Sequence, residues 1–241
     1  MSFRRVLVIQ VRDSKIDRER ERTAFKVAAK RFHDSLRFLD VYNEKPDLNR
    51  AEAFQGVVIA GSALSVFEPG VPHAEELKAV VEDCVHHHWP LLGICFGAQF
   101  IAHALGGQVV RDKVNEELGT HEIRLRPDAE HDNLLRDLPE RFMAQQAHQD
   151  RIEVLPESAV LLASSDYCHV QAFRMHGAPV YGVQFHPERT HKDMAERLER
   201  NLLDRAEDKY LVERARKSLR PTPEAEVIVH TFIERVVFGI A

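Results

Sequence analysis

The sequence predicts an α/β fold, a sandwich of helices on a mostly parallel sheet. Two observations carry this. Short β-branched runs that read as buried strands are followed by segments whose apolar residues recur at helical spacing. The strand, helix, strand, helix order then gives way to a second half richer in strands.

The elements follow in order. "RVLVIQV" (5–11) is a compact apolar run, read as a buried strand. "DRERERTAFKVAAKRF" (17–32) is charged and helical in pattern. "GVVIAGS" (56–62) is a second buried strand ending at a glycine. In "HAEELKAVVEDCVHHH" (73–88), Leu77, Val80, Val81, Cys84 and Val85 fall on one helical face, which makes Cys84 a core residue. Pro90 stops that helix and "LLGI" gives a third strand. "FGAQFIAHALGG" (96–107) reads as a helix closed by Gly106 and Gly107. Residues 141–148, 169–175 and 179–186 read as strands, and 191–219 as a long helix with one exposed face. Thr222 and Pro223 fit the cap and first position of a last helix. No Pro/Gly/Ser-rich linker divides the chain. The expectation is one domain over 1–241, with a variable insertion at about 12–50 and a helical C-terminal extension at about 191–241.

Composition narrows the function. The 241 residues suffice for a full core without staples, and 44% hydrophobic with 29% charged is an ordinary soluble balance. A net charge of −5 argues against a nucleic-acid footprint, which needs a basic face. The apolar run at the start is too short for a signal peptide, and no run approaches a membrane span. A cytoplasmic protein with no nucleic-acid or membrane partner is expected. Cys84, Cys95 and Cys168 are odd in number and lie outside any CxxC pattern, which disfavours a disulfide framework or zinc site. His86, His87 and His88 point about 100° apart on a helix and read as a polar helix end rather than a metal site. His121, His131 and His176 read as surface or structural histidines.

"GICFGAQ" (93–99) carries the chemistry. An apolar strand, Gly-x-Cys-x-Gly and then a helix is the layout of a nucleophile elbow. Gly93 and Gly97 remove side chains that would collide at the turn. The helix N-terminus favours a thiolate at Cys95, and the Phe96 N–H is placed to stabilise an oxyanion. Gln99 lies one helical turn on and faces the same pocket. A nucleophilic cysteine also needs a base and an orienting group. "YGVQFHPE" (181–188) supplies His186 at a strand end, with Glu188 two residues later on the same side of an extended segment.

These two stretches resemble the nucleophile and histidine-glutamate motifs of the class I glutamine amidotransferases, almost letter for letter. The resemblance covers about residues 55–190. "AGSALSV" (60–66) resembles the oxyanion strand; "ELG" (117–119), "AHQD" (147–150) and "VQAFR" (170–174) resemble stretches of the guanylate-synthase-like branch. The resemblance implies a doubly wound, flavodoxin-like open sheet. It implies Cys95 as nucleophile, His186 as base and Glu188 as orienter. It implies an oxyanion hole at Gly61, Ser62 and the Phe96 amide, and a glutamine pocket at Gln99, His148, Gln149 and Asp150. Gly61-Ser62-Ala63 stands where the family often has Gly-Gly-Pro, and Ala147 and Gln149 depart from the family's usual residues, so substrate preference is the least constrained feature. No metal or cofactor is implied. The activity expected is hydrolysis of the γ-amide of glutamine or a γ-glutamyl compound. The alternatives are an ammonia-donating subunit that serves a synthetase partner chain, such as a guanylate synthase, and a catalytically silent binding protein.

Overall fold

The computed structural model of the protein describes residues 4–47, 54–204 and 209–240. Its first half runs β1 (Val6–Gln10), α1 (Lys15–Ala28), β2 (Leu36–Asp40), β3 (Gly56–Ile59), α2 (Ala74–His86), β4 (Leu91–Ile94) and α3 (Phe96–Ala104). The second half adds β5 (Gln108–Arg111), β6 (Glu117–Leu125), β7 (Arg141–His148), β8 (Asp150–Val154), β9 (Ala159–Ser164), β10 (Ala172–Met175) and β11 (Val180–Val183). Helices α4 (His191–Asp204), α5 (Lys209–Ser218), α6 (Pro223–Glu226) and α7 (Ile228–Thr231) follow, and a π-helical turn at Phe232–Val237 ends them.

The main sheet has the order β2-β1-β3-β4-β11-β10-β9-β6-β7, and β5 pairs with β8 in a separate ribbon. Strands β2, β1, β3, β4 and β11 pair in parallel, and β10, β9, β6 and β7 extend the sheet by antiparallel pairing. Both faces of the parallel part are buried, which is why its strands read as continuous apolar runs rather than alternating ones. Val6 and Val8 point into one cluster with Phe25 and Ala28 of α1 and with Ile228 and Phe232 near the C-terminus. Leu7 and Ile9 point into the other, with Leu77 and Val81 of α2 and Ile101 of α3. Cys84 is fully buried there, and burial pushes its thiol up to about 12. His86, His87 and His88 are exposed at the end of α2. No helix among the described residues is long and apolar enough to cross a membrane.

Two sequence expectations need correction. Residues 12–50 are not an insertion outside the core as far as they are described. They supply α1 and the edge strand β2, an ordinary parallel β-α-β crossover paired in register from Val6↔Leu36 to Gln10↔Asp40. Their charge misled because α1 is amphipathic: Ala24, Phe25 and Ala28 are buried while its arginines face outward or into ion pairs. Helix α1 also starts earlier than its pattern suggests, because the Ser14 hydroxyl accepts from the Asp17 N–H at 3.3 Å and caps it. The long helix at 191–219 is two helices, α4 and α5, separated by residues outside the described set.

Candidate active site

Four adjacent parallel strands deliver the candidate residues at their carboxyl ends, the edge where open α/β sheets place ligands. Beyond β1 comes Arg12, beyond β3 Gly61, beyond β4 Cys95 and beyond β11 His186. The Cys95 N–H donates to the Val183 carbonyl at 2.8 Å, and the His186 N–H donates to the Gln145 carbonyl at 2.9 Å. A β-carbon placed on Gly61 would lie 3.1 Å from His186 Cε1, 3.5 Å from Arg12 Nη2 and 3.7 Å from Cys95 Cβ. The three side chains therefore converge on one point beside the β3 strand end.

Cys95 has φ 52° and ψ −105°, a conformation that non-glycine residues rarely adopt. The flanking glycines make this turn possible by contact, not by flexibility. A β-carbon on Gly93 would sit 2.5 Å from the Gly97 backbone, and one on Gly97 would sit 2.1 Å from the Ile59 carbonyl oxygen. Gly97→Ala must therefore push helix α3 off strand β3. It will lower stability by about 3 kcal/mol or more, roughly 10 °C in Tm for a chain of this size. Gly106→Ala meets no atom within 4 Å and bears only the strain of φ +90°, about 1 kcal/mol. Thermal unfolding of the two variants checks the contrast.

His186 Nδ1 lies 2.8 Å from Glu188 Oε1, with both side chains 1% exposed. The carboxylate accepts the Nδ1 proton, which leaves Nε2 bare, and Nε2 is buried with no hydrogen-bond partner. Burial drives the His186 imidazolium down to about 4 against the opposing pull of Glu188. Burial also disfavours the Glu188 carboxylate, but His186 and Arg189 outweigh it and hold it at about 2. At neutral pH the ring is therefore a neutral base beside an ionised carboxylate. The helix N-terminus alone suggests a resting thiolate at Cys95; burial overrides it and pushes the thiol up to about 11, although Arg197, Arg12 and the Phe96 N–H pull the other way. The site rests as thiol and neutral imidazole, so the proton must move as the sulfur attacks.

This sets a pH expectation. The acid limb of kcat/KM should fall near pH 4, where His186 protonates, and not near its unperturbed value of about 6.5. Because the folded value lies below the unfolded one, the unfolded chain takes up the proton first. This contribution to stability is intact above about pH 6.5 and is lost as pH falls toward 4, by up to about 3 kcal/mol. A pH–rate profile with parallel stability measurements checks both. A limb at 6.5 would contradict the burial argument.

Cys95 opens into a cleft of about 450 Å³ that is also lined by Ser62, Gln99, His148, Gln149 and Asp150. Every predicted pocket residue is thus brought to one cleft. Gln99 donates to the Asp150 carbonyl at 2.7 Å and to Gln184 Oε1 at 3.1 Å, which locks it in the wall. The Asp150 carboxylate is held by Arg111 at 3.0 Å and by the Ser65 hydroxyl. The Ser62 hydroxyl accepts from the Leu64 N–H at 3.1 Å and tightens the turn after Gly61.

A second Cys-His-Glu grouping lies behind this wall. Ligand atoms of Glu117, His148 and Cys168 all fall within 4.8 Å of one another. Its polar groups are already occupied. His148 spans Glu117 Oε2 at 3.0 Å and the Asp150 carbonyl at 3.1 Å, and Glu117 also accepts from Ser165 and Gln171. The Cys168 thiol donates to the Val170 carbonyl and is pushed by burial up to about 12. Cys168 does not line the cleft and has no strained turn, so this grouping orients His148 and offers no free nucleophile. Exposed His131 and His176 and half-buried His121, which meets the Leu118 carbonyl at 3.1 Å, have structural or surface places.

Sequence reasoning missed Arg12, Arg189 and Arg197. Each lies in or beside a charged stretch, and nothing in the local pattern distinguishes an inward-facing arginine from a solvated one. Arg189, directly after the His186–Glu188 stretch, was the visible clue.

Comparisons with known proteins place the chain in a family. Residues 22–206 match the family model described as glutamine amidotransferase class-I. Over 154 residues the chain is 36% identical to a glutamine-hydrolysing GMP synthase subunit of Thermoplasma volcanium, a match spanning 64% of this chain and 72% of that protein. Over 178 residues it is 32% identical to the corresponding subunit of Methanocaldococcus jannaschii, spanning 71% of this chain and 88% of that one. The crystal structure of a glutamine amidotransferase from Thermotoga maritima superposes with a TM-score of 0.74 at 23% identity, over 98% of this chain and 99% of that one, a likeness of fold.

Proposed function

This chain belongs to the class I glutamine amidotransferases, and from that premise we propose that it hydrolyses the γ-amide of glutamine or a γ-glutamyl compound through a thioester on Cys95. One observation carries the proposal: the His186 ring, with its Nε2 bare and buried, converges with Cys95, which lines a polar cleft, while Glu188 holds the opposite ring nitrogen.

Each residue has a role. Gln99, His148, Gln149 and Asp150 wall the cleft that receives the glutamyl end. The backbone N–H groups of Ser62 and Phe96, with Gly61 keeping the approach open, face the developing oxyanion. As Cys95 Sγ bonds to the γ-carbon, His186 Nε2 takes the thiol proton, and Glu188 steadies the imidazolium. His186 then gives that proton to the leaving nitrogen, the C–N bond breaks, and ammonia or an amine departs. Water attacks the thioester, His186 accepts its proton, and glutamate leaves as the thiol re-forms. The whole of 1–241 is read as one amidotransferase unit, with α4 to α7 as its C-terminal extension.

A second reading keeps the chemistry and changes the destination. The relatives named as GMP synthase subunits support transfer of the ammonia to a synthetase on a separate chain. Release of ammonia and glutamate in equal amounts from glutamine or γ-glutamyl amines by the purified chain is the expected result. No release from any of these by the chain alone would overturn the free-standing reading and favour the two-chain one.

A further inference from the structure

Next to the Cys95 cleft is a second hollow of about 350 Å³, lined by Arg12, Arg20, Arg189, Arg197 and Arg200, with Asp17 as its acidic residue. The arginines are poorly compensated. Arg12 gives its Nε to Glu21 at 2.9 Å, but its Nη2 is buried without a partner. The Arg189 side chain is 9% exposed, and its Nε lies 3.3 Å from Glu188 Oε1 without forming a hydrogen bond. Arg197 makes no hydrogen bond or ion pair among the described residues, and its Nη1 is buried. Glu19, Asp193 and Glu196 border a neighbouring hollow with Arg20, Arg189 and Arg200, so the outer arginines have acidic company; of the inner pair, Arg12 has Glu21 on its Nε alone and Arg197 has no ion pair among the described residues.

Buried guanidinium nitrogens without a hydrogen-bond partner are costly and scarce, and three around one hollow, Arg12 Nη2, Arg189 Nε and Arg197 Nη1, suit a bound anion. Their planar forks suit a carboxylate or phosphate. Position says which part of a substrate carries it. The hollow shares Ala63 and Arg197 with the Cys95 cleft. Arg12 stands against the same Gly61 point as the His186 ring. A leaving nitrogen must reach His186 to be protonated, so whatever that nitrogen carries emerges beside Arg12 and enters the arginine hollow.

We propose that this hollow is a leaving-group subsite, and that preferred substrates are γ-glutamyl amides whose amine half bears an anionic oxyacid group. The proposal rests on the thioester reading above. The step is the same acyl transfer: the γ-carbon–nitrogen bond breaks, the amine leaves with the proton from His186, and water completes glutamate. Only the leaving amine differs from ammonia.

The test compares kcat/KM for γ-glutamyl-β-alanine, γ-glutamyl-aminoethyl phosphate and the neutral γ-glutamyl-propylamine, in wild type, Arg197→Gln and Arg197→Lys. Wild type should favour an anionic substrate over the neutral one by about 10- to 100-fold, the worth of a charge-assisted contact. The two anionic arms tell carboxylate from phosphate. Arg197→Gln should cut that ratio at least about tenfold, and Arg197→Lys should restore part of it. Turnover of the neutral amide with no anionic preference would overturn the subsite and leave the hydrolase reading standing. So would an equal rise in KM for all substrates and glutamine in Arg197→Gln, which would assign Arg197 to the glutamyl end. If wild type hydrolyses none of them, calorimetric titration with γ-glutamyl-β-alanine decides. Saturable binding lost in Arg197→Gln supports the subsite while the hydrolase reading fails; no binding overturns the subsite as well.

Discussion

Cys95→Ala will reduce glutamate release from glutamine by about 10⁶-fold, to the level left by binding and the oxyanion donors alone. The size follows from the chemistry. Removing the sulfur removes the covalent route, and no neighbouring group can replace it. The comparison with Cys168→Ala makes the result diagnostic. Cys168 sits within reach of a histidine and a glutamate as Cys95 does, but its thiol is bonded to a carbonyl and closed off from the cleft. Cys168→Ala should keep activity within a few-fold. Losses in the reverse order would move the chemistry to the Glu117–His148–Cys168 grouping.

His186→Ala will cost a similar factor, about 10⁶, and Glu188→Gln about 10⁴, as in hydrolytic triads where nucleophile and base act as a unit. Glu188→Gln carries a second signature. Glu188 raises the His186 pKa against burial, so its loss should move the acid limb below pH 4 while kcat falls. A merely structural role for Glu188 would lower activity at every pH and leave the limb in place. The variant also removes a buried negative charge that faces Arg189 at 3.3 Å, so reduced stability is expected alongside. Measuring the pH profile on folded protein separates the two effects.

The elbow was legible because its constraints are local. Gly93 and Gly97 are fixed by contacts with the backbone within a few ångström, and those contacts demand glycine whatever the rest of the chain does. The strands β1, β3, β4 and β11 were legible because burial on both faces leaves only apolar residues to read. The His186–Glu188 pair was legible because it is two residues apart. The stretch at about 12–50 reads as an insertion because α1 hides its buried face among acidic and basic side chains, KIDRERERTAFKVA, and because an edge strand such as β2 is only half apolar. The arginine hollow was illegible for a different reason. Arg12 and Arg197 are separated by most of the chain, and only the sheet order that places β1 beside β3, with Cys95 beyond, brings Arg12 to the site. Spacing in sequence carries no trace of that meeting.

The most direct measurement is the location of a covalent label left by a glutamine-like chloroketone. After limited reaction, the digested protein is mapped by mass spectrometry, with and without excess glutamine. Cys95 lines the cleft, whereas Cys84 and Cys168 are buried away from it with thiols pushed up to about 12. One label on the Cys95 peptide, suppressed by glutamine, is the expected result. Equal labelling of the three cysteines, or a label on Cys168 alone, would contradict a glutamine-directed nucleophile at Cys95.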